Sequence, residues 1–417
     1  MFDRAGRSFQ VLPRNDRMRS MAYVTEGTVA RYPARTHDLP IDGGARSSAK
    51  DKNMTKTVRV GVIGLGSVSE KYVPHIRNLR LEGTDCEIVI GCDLRPGMAE
   101  RARAWAIPAF TTDYTEVLGR ADVDVVLILT GMQTHGKLTR EALLAGKHVL
   151  VEKPMSMDLA EAAELVALAK TSKGHLVCAP HVTLSQTYQD MWRHIHSGDI
   201  GRPLSARGMY GWSGPDWDPF FYQPGGGPMY DLGVYNVTTL TGLLGPAKRV
   251  MAMTGIAIPE RMVNNQKITV QTDDNFQLLL DFGNQCFGVV TTGFTMQRYD
   301  VSGIEIYGSE GTINMYGDDW DPYGYKLWRN RDGFWQDHEK RNKWRWTDGI
   351  RDLIQAIHEG RKPVNSPEHA YHVLEIMSKS MESGRLGQAL PIVSTFVPPR
   401  FDKAEDRIAA HLEHAPS

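Results

Sequence analysis

From residue 57 to about 180, short and almost continuously apolar runs alternate with helical patterns. No other feature of the chain restricts its fold as much. Val58-Arg59-Val60-Gly61-Val62-Ile63 reads as a buried strand. A helical pattern follows, with Tyr72, Ile76 and Leu79 on one face. Segments 87–92, 123–129, 148–151 and 175–179 read as further strands, and 98–106 and 134–145 as helices. Gly146 stands where a helix C-cap is expected. Asp158 with Glu161 forms a capping-box pattern that opens another helix, ending at Gly174. Strands that alternate with helices in this way build a doubly wound parallel sheet. Helices cover both faces of such a sheet, so its strands are apolar on both sides.

The second half reads differently. Helical patterns at 186–196 and 229–244 give way to paired strands. Segments 276–280 and 286–290 flank a turn at Gly283-Asn284, and 304–307 and 312–315 flank Gly308-Ser309-Glu310-Gly311. These predict antiparallel hairpins. Helices at 347–359 and 367–382 complete an α+β domain. A length of 417 residues also favours two domains. The expected organisation is a disordered extension over 1–56, a doubly wound α/β domain over 57–180, an α+β domain over 181–395 and a tail over 396–417.

A formal net charge of −1 supplies no field to steer the chain toward nucleic acid or an anionic membrane, and neither is expected as a partner. No apolar run reaches membrane-spanning length. The first 53 residues lack the apolar stretch of a signal peptide and any Arg-Arg pair, so a cytoplasmic location is expected. Met54 directly precedes the first strand and is an alternative start. Cys86, Cys92, Cys178 and Cys286 form no C-x-x-C pair and read as buried thiols. Cys/His clusters with zinc spacing are absent, and no metal is expected.

Gly64-Leu65-Gly66-Ser67-Val68-Ser69 follows the first strand and opens a helix. It is a G-x-G-x-x-G phosphate turn with its third glycine replaced by serine. Gly64 permits the tight turn and Gly66 the close approach of a pyrophosphate. Ser67 and Val68 carry the backbone into the helix N-terminus. Asp93 ends the second strand, where a carboxylate accepts both ribose hydroxyls and repels a 2′-phosphate. NAD is therefore favoured over NADP, although Arg95 is near enough in sequence to weaken that preference. Lys153 follows a buried strand and precedes Pro154, at the carboxyl end of the sheet where such folds bind ligands. Residues 210–223 interleave Tyr210, Trp212, Trp217, Phe220, Phe221 and Tyr222 with Asp216 and Asp218. Aromatic faces beside carboxylates suit a carbohydrate. A loop packed at an interface fits the same residues equally well.

Three segments resemble signatures of the Gfo/Idh/MocA family. They are Val149-Leu150-Val151-Glu152-Lys153-Pro154 after Ala145-Gly146-Lys147-His148, Thr130-Gly131-Met132-Gln133-Thr134-His135, and Gly225-Gly226-Gly227-Pro228-Met229-Tyr230-Asp231-Leu232-Gly233-Val234-Tyr235. The resemblance spans roughly residues 57–395. It implies a Rossmann domain followed by an α+β domain on a large, mostly antiparallel open sheet. It further implies that Lys153 contacts both the cofactor region and the reacting hydroxyl, with Thr130, His135 and Glu152 at the cofactor. Many members carry Asp-x-x-x-His in the second domain. Here Asp231 is followed by Tyr235, as in the branch that resembles glucose–fructose oxidoreductase.

The i,i+4 spacing puts Asp231 and Tyr235 on one helix face. Alcohol oxidation needs a base within hydrogen-bond reach of the hydroxyl. Free tyrosine titrates near ~10, and a neighbouring Lys153 ammonium is expected to lower that value. The family also places His181 and Tyr188 at the substrate cleft, and His181 is the first alternative base. Trp320, Trp328, Trp335, Trp344 and Trp346 decorate the strand-rich region, and relatives associate through the open sheet. A homodimer or homotetramer is expected. The implied function is NAD-dependent oxidation of a secondary hydroxyl on a sugar, cyclitol or glycoside. Glycoside hydrolysis by transient oxidation and elimination is an alternative, and a non-catalytic NAD-binding regulator is another.

Overall fold

The computed structural model describes residues 56–339 and 344–401. The expected disordered extension, up to residue 55, and the expected tail, from residue 402 on, lie outside the described residues. Among the described residues the first sheet has six strands: β1 (Val58–Ile63), β2 (Cys86–Cys92), β3 (Phe110–Thr111), β4 (Val125–Ile128), β5 (His148–Val151) and β6 (Leu176–Cys178). Their order is β3-β2-β1-β4-β5-β6, and every pairing is parallel. The order reverses at β1, which opens a crevice at the carboxyl ends of β1 and β4. Val125, Val126, Leu127 and Ile128 are all buried, as a strand covered on both faces must be.

The crossovers are α1 (Ser69–Leu81), α2 (Met98–Ala104), α3 (Tyr114–Gly119), α4 (His135–Leu144) and α5 (Leu159–Thr171). Gly146, at φ +73°, ends α4 in the left-handed region. The Asp158 side chain accepts the Glu161 N–H, so the expected cap is present. The reciprocal arm is not. Glu161 instead accepts the Ser156 hydroxyl. β3 and α3 are too short to have been legible as periodic runs.

After α6 (Gln186–His196) comes, among the described residues, a nine-stranded sheet together with a separate hairpin. Its members in chain order are β7 (Pro203–Gly211), β8 (Arg249–Gly255), the hairpin pair β9 (Glu260–Val263) and β10 (Gln266–Thr269), β11 (Asn275–Gly283), β12 (Cys286–Gly293), β13 (Ile304–Gly308), β14 (Gly311–Met315), β15 (Gly324–Arg329), β16 (Trp335–Glu339) and β17 (Leu390–Pro391). The large sheet runs β16-β15-β14-β13-β7-β12-β11-β8-β17, antiparallel except where β7 meets β12. Both predicted hairpins are present, as β11/β12 and β13/β14.

The central strand β7 escaped notice because it turns small residues inward. A Cβ on Gly208 would stand 2.9 Å from the Asn236 Cβ, so only glycine lets α7 (Val234–Leu244) lie against the sheet. α9 (Pro367–Leu386) covers β8 on the same face, with the Ser383 hydroxyl accepting the Ala252 N–H at 2.9 Å. α8 (Gly349–Glu359) returns to the first sheet. Its Ile350, Leu353 and Ile354 share a core with Val60, Val125 and Leu150. His75 of α1 meets Thr347 at 2.6 Å and Asp348 at 3.1 Å. All four cysteines are buried and unpaired.

Candidate functional site

The glycine turn lies at the switch point. Gly64 has φ +96°, and a Cβ there would come within 2.6 Å of the Leu129 carbonyl oxygen. The position of a Cβ on Gly66 has no atom within 4 Å. The turn is thus packed against β4 on one side and open on the other, as a close-fitting diphosphate requires. Ser67 is exposed and Val68 half-buried at the head of α1. Ser69 does more than substitute for a small residue, because its hydroxyl donates to the Gly66 carbonyl.

A groove of about 530 Å³ runs from Gly64 and Gly66 past Asp93 and Arg95 to Thr130 and Lys137. Asp93 receives the Leu65 N–H at 3.0 Å, and the Arg95 guanidinium lies across both its oxygens at 2.9 and 3.0 Å. Burial works to raise the Asp93 carboxyl, but hydrogen bonds from Arg95 and Leu65 prevail and hold it below the ordinary value. The simple picture of a bare carboxylate repelling a 2′-phosphate is therefore corrected, since Arg95 neutralises that charge. Arg95, Tyr114 and Lys137 line the groove without having been singled out as contacts. Lys137 stands two residues beyond the Thr130–His135 motif.

Thr130 bonds its hydroxyl to that of Thr134 at 2.7 Å. His135 is buried, with Nδ1 2.7 Å from the Pro154 carbonyl and Nε2 3.1 Å from the Thr130 carbonyl. It braces two turns against each other and does not open onto the groove. Glu152 also points inward. Its carboxylate accepts the Tyr72 hydroxyl at 2.8 Å and the Lys153 N–H at 3.1 Å.

Lys153 joins the two halves of the chain. The glycine-rich segment Gly225-Gly226-Gly227 turns sharply, with φ +89° at Gly225 and +97° at Gly227. It delivers the chain into a π-helical turn, Met229–Gly233, directly before α7. This corrects the expected regular helix over 229–244. A π-turn widens the backbone spacing and is often found at functional sites. The Lys153 ammonium reaches the Asp231 carbonyl at 2.9 Å, the Asp231 carboxylate at 3.0 Å and the Tyr230 carbonyl at 3.4 Å. It also lies 5.6 Å from the centre of the Tyr235 ring. Lys153, Asp231 and Tyr235 are thus brought together.

The expected lowering of the Tyr235 phenol is overturned. Burial pushes it well above its ordinary value, and the nearby Glu152 and Asp231 carboxylates push the same way. Burial is the largest cause, and the ammonium 5.6 Å from the ring centre does not offset it. Tyr235 is a phenol at neutral pH.

Of the three remaining candidates, His181 and Tyr188 are buried and Trp217 is exposed. His181 is 1% exposed, with its ring against Gly349 and its Nδ1 3.3 Å from Asn365. Burial pushes it down to about 3, so it is a neutral packed ring. Tyr188 is fully buried, edge-on to Phe401 at 5.9 Å, and belongs to the core. Trp217 is 56% exposed and stacks on Trp212 at 5.5 Å, at the outer end of an aromatic group with Phe221 and Phe294. The β9/β10 turn grips this loop, with Asn264 donating to the carbonyls of Asp216 at 2.7 Å and Trp217 at 2.8 Å.

Fold and groove together define a dinucleotide-binding protein. Family profiles described as "Oxidoreductase family, NAD-binding Rossmann fold" and "GFO/IDH/MocA C-terminal domain" match residues 58–179 and 188–314. The chain belongs to the GFO/IDH/MocA family of NAD-binding oxidoreductases. It is 28% identical over 265 residues to 1,5-anhydro-D-fructose reductase of Ensifer adhaerens, covering 61% of this chain and 74% of that protein. It is 28% identical over 264 residues to scyllo-inositol 2-dehydrogenase (NAD(+)) of Bacillus subtilis, covering 62% and 74%. A structure of levoglucosan dehydrogenase in complex with NADH superposes with a TM-score of 0.72 at 22% identity, covering 81% of this chain and 99% of that one.

Proposed function

We propose that this oxidoreductase transfers hydride between NAD and a secondary hydroxyl of a small carbohydrate, cyclitol or glycoside, at the cluster of Lys153, Asp231 and Tyr235. The ammonium of Lys153, held by two carbonyls and one carboxylate from the opposite half, carries this reading. The names of the two enzyme relatives, a sugar reductase and an inositol dehydrogenase, support the substrate class.

Gly64, Gly66, Asp93, Arg95, Thr130 and Lys137 would hold the dinucleotide, which supplies the hydride acceptor when bound. Lys153 would donate to the reacting oxygen and stabilise the negative charge that grows there on deprotonation. Tyr235, as a neutral phenol, would hydrogen-bond the same oxygen. The Asp231 carboxylate, already oriented by Lys153, would take the proton. Trp217 and its neighbours would supply an apolar face for ring C–H groups.

Purified protein tested against a panel of sugars, cyclitols and glycosides should reduce NAD stoichiometrically with at least one of them. NADH binding without turnover across the panel would make the protein a binding module. Aglycone release with only catalytic NAD would make it a glycoside-cleaving enzyme.

The state of Asp93 bears on cofactor choice. Arg95→Ala leaves the carboxylate bare, and discrimination against NADP should rise about tenfold or more, the scale of one charge-assisted contact. Comparing kcat/KM for NAD and NADP in both proteins checks this.

We also propose self-association through the outer face of the nine-stranded sheet. Leu279 lies opposite Met251 on β8 and Val289 on β12, and Met253 and Phe287 extend the same apolar face. Met253 is 77% exposed and Leu279 53%. An apolar stripe of this kind is a feature of interfaces. Light scattering should give a mass of at least two chains, and a mass of one chain would refute the interface. No described helix is long and apolar enough to cross a membrane.

A further inference from the structure

Behind Tyr235 lies a second group of acids that the chemistry above does not use. Asp319 sits between β14 and β15 and is 1% exposed. One of its oxygens accepts from the Asn236 side-chain amide at 3.0 Å and from the Thr239 hydroxyl at 3.1 Å, both buried on α7. Its other oxygen has no donor, and neither has the Asn236 carbonyl oxygen, among the described residues. The titratable groups that face it are Asp318 in its own segment, Tyr235 on α7, Tyr210 on β7 and Tyr299 between β12 and β13. None of them is a cation. Tyr299 donates to Asp318 at 2.8 Å, and Tyr210 meets Tyr235 edge-on at 5.9 Å.

We propose that Asp319 is a positioning residue of this site, an uncharged carboxylic acid that grips α7 from behind and sets Tyr235 and Asp231 against Lys153. A buried carboxylate needs a cation or several donors to hold its charge. Asp319 has only neutral donors and an acid beside it. A proton on Asp319 also adds a donor where donors are short. Burial, helped by the charge of Asp318, pushes the carboxyl up to about 8. Above that pH, the new charge lies in a desolvated cluster one residue from Tyr235 and loosens the grip on α7. The inference rests on reading Lys153, Asp231 and Tyr235 as the reacting cluster.

The test compares wild type, Asp319→Asn and Asp319→Ala. Asparagine keeps the acceptor toward Asn236 and Thr239 and cannot ionise. Asp319→Ala should lower kcat about 10- to 100-fold at pH 7, the scale of a small misplacement of reacting groups, with NADH affinity retained. Asp319→Asn should recover most of that loss and should lack the fall in kcat that wild type shows above about pH 8. Equal damage in both variants, or an unchanged alkaline limb in Asp319→Asn, overturns the proposal.

Melting gives a readout independent of turnover. A carboxyl raised above its unfolded value of about 3.9 contributes stability below that value and loses it as pH rises through the folded value. The melting temperature of Asp319→Asn should therefore gain on wild type between about pH 5 and pH 8, then run parallel to it. A constant difference overturns the neutral acid. Should wild type turn over no substrate, the catalytic reading fails, and this melting series still decides whether Asp319 is protonated. Should Asp319→Ala not fold, the pH profile and melting of Asp319→Asn decide.

Discussion

Lys153→Ala should lower turnover of the cognate alcohol by about 10²- to 10⁴-fold and leave NADH affinity within about threefold of wild type. The asymmetry follows from where the ammonium points. Its contacts are Asp231 and the Tyr230 carbonyl on the opposite half, while the groove that would hold the dinucleotide is built from Gly64, Asp93, Arg95 and Lys137. Removing the cation strips the reacting oxygen of its charge partner. It also takes from the Asp231 carboxylate the ammonium that orients it, so Asp231 loses its position as well. Lys153→Arg should rescue little. A planar guanidinium cannot meet two carbonyls and a carboxylate from the position of a compact ammonium. Steady-state kinetics with NADH titration check both parts. Turnover within tenfold of wild type in Lys153→Ala would remove Lys153 from the chemistry. A parallel collapse of NADH affinity would make it a cofactor-binding residue instead.

Asp274→Ala should cost about 3–5 kcal/mol of stability, the penalty for stranding one charge of a buried pair. Asp274 and Arg261 meet at 2.9 Å, with side chains 1% and 9% exposed. The Asp274 carboxylate also accepts the Ala257 N–H at 2.7 Å and the Ile258 N–H at 3.2 Å. The Arg261 guanidinium donates to the Ser213 and Phe294 carbonyls, both at 2.6 Å, and lies 4.9 Å over the Tyr222 ring. This one pair ties β9 to the large sheet and to the aromatic loop that carries Trp217. Without Asp274, the guanidinium must draw in water or leave its site, and the loop loosens with it. Urea unfolding followed by tryptophan fluorescence should show the loss. The double change Asp274→Leu with Arg261→Met should cost less than Asp274→Ala, because no unpaired charge remains. A single-mutant loss below about 1 kcal/mol would show that the pair behaves like a surface contact.

The legible and illegible parts of this protein divide by the range of the interactions that produce them. The six-stranded sheet was readable because β1, β4 and β5 are apolar on both faces, and because Gly64, Gly146 and Asp158 punctuate the chain where turns and caps need them. β7 was not readable. Its Ala206 and Gly208 are small because α7 presses on them, and that pressure comes from residues about thirty positions away. Returning α8 to the first sheet is equally non-local, since the pairing of His75 with Thr347 and Asp348 leaves no periodic trace. In the site, Lys153, Asp231 and Tyr235 were recognisable as motif residues. Their company was not. The π-turn at Met229–Gly233 has no spacing signature, and Asp319 stands in no motif.

The parallel sheet, the phosphate turn and the residues from which the reacting cluster is drawn were readable from chain order, because they depend on local periodicity and on side chains a few positions apart. Only the tertiary structure decided their electrical state. It laid Arg95 across Asp93 and buried His181 and Tyr188. It also buried Tyr235 beside Glu152 and Asp231, so that a phenol expected to ionise stays protonated. The physical reason is that desolvation and charge act through space, over distances that chain order does not record.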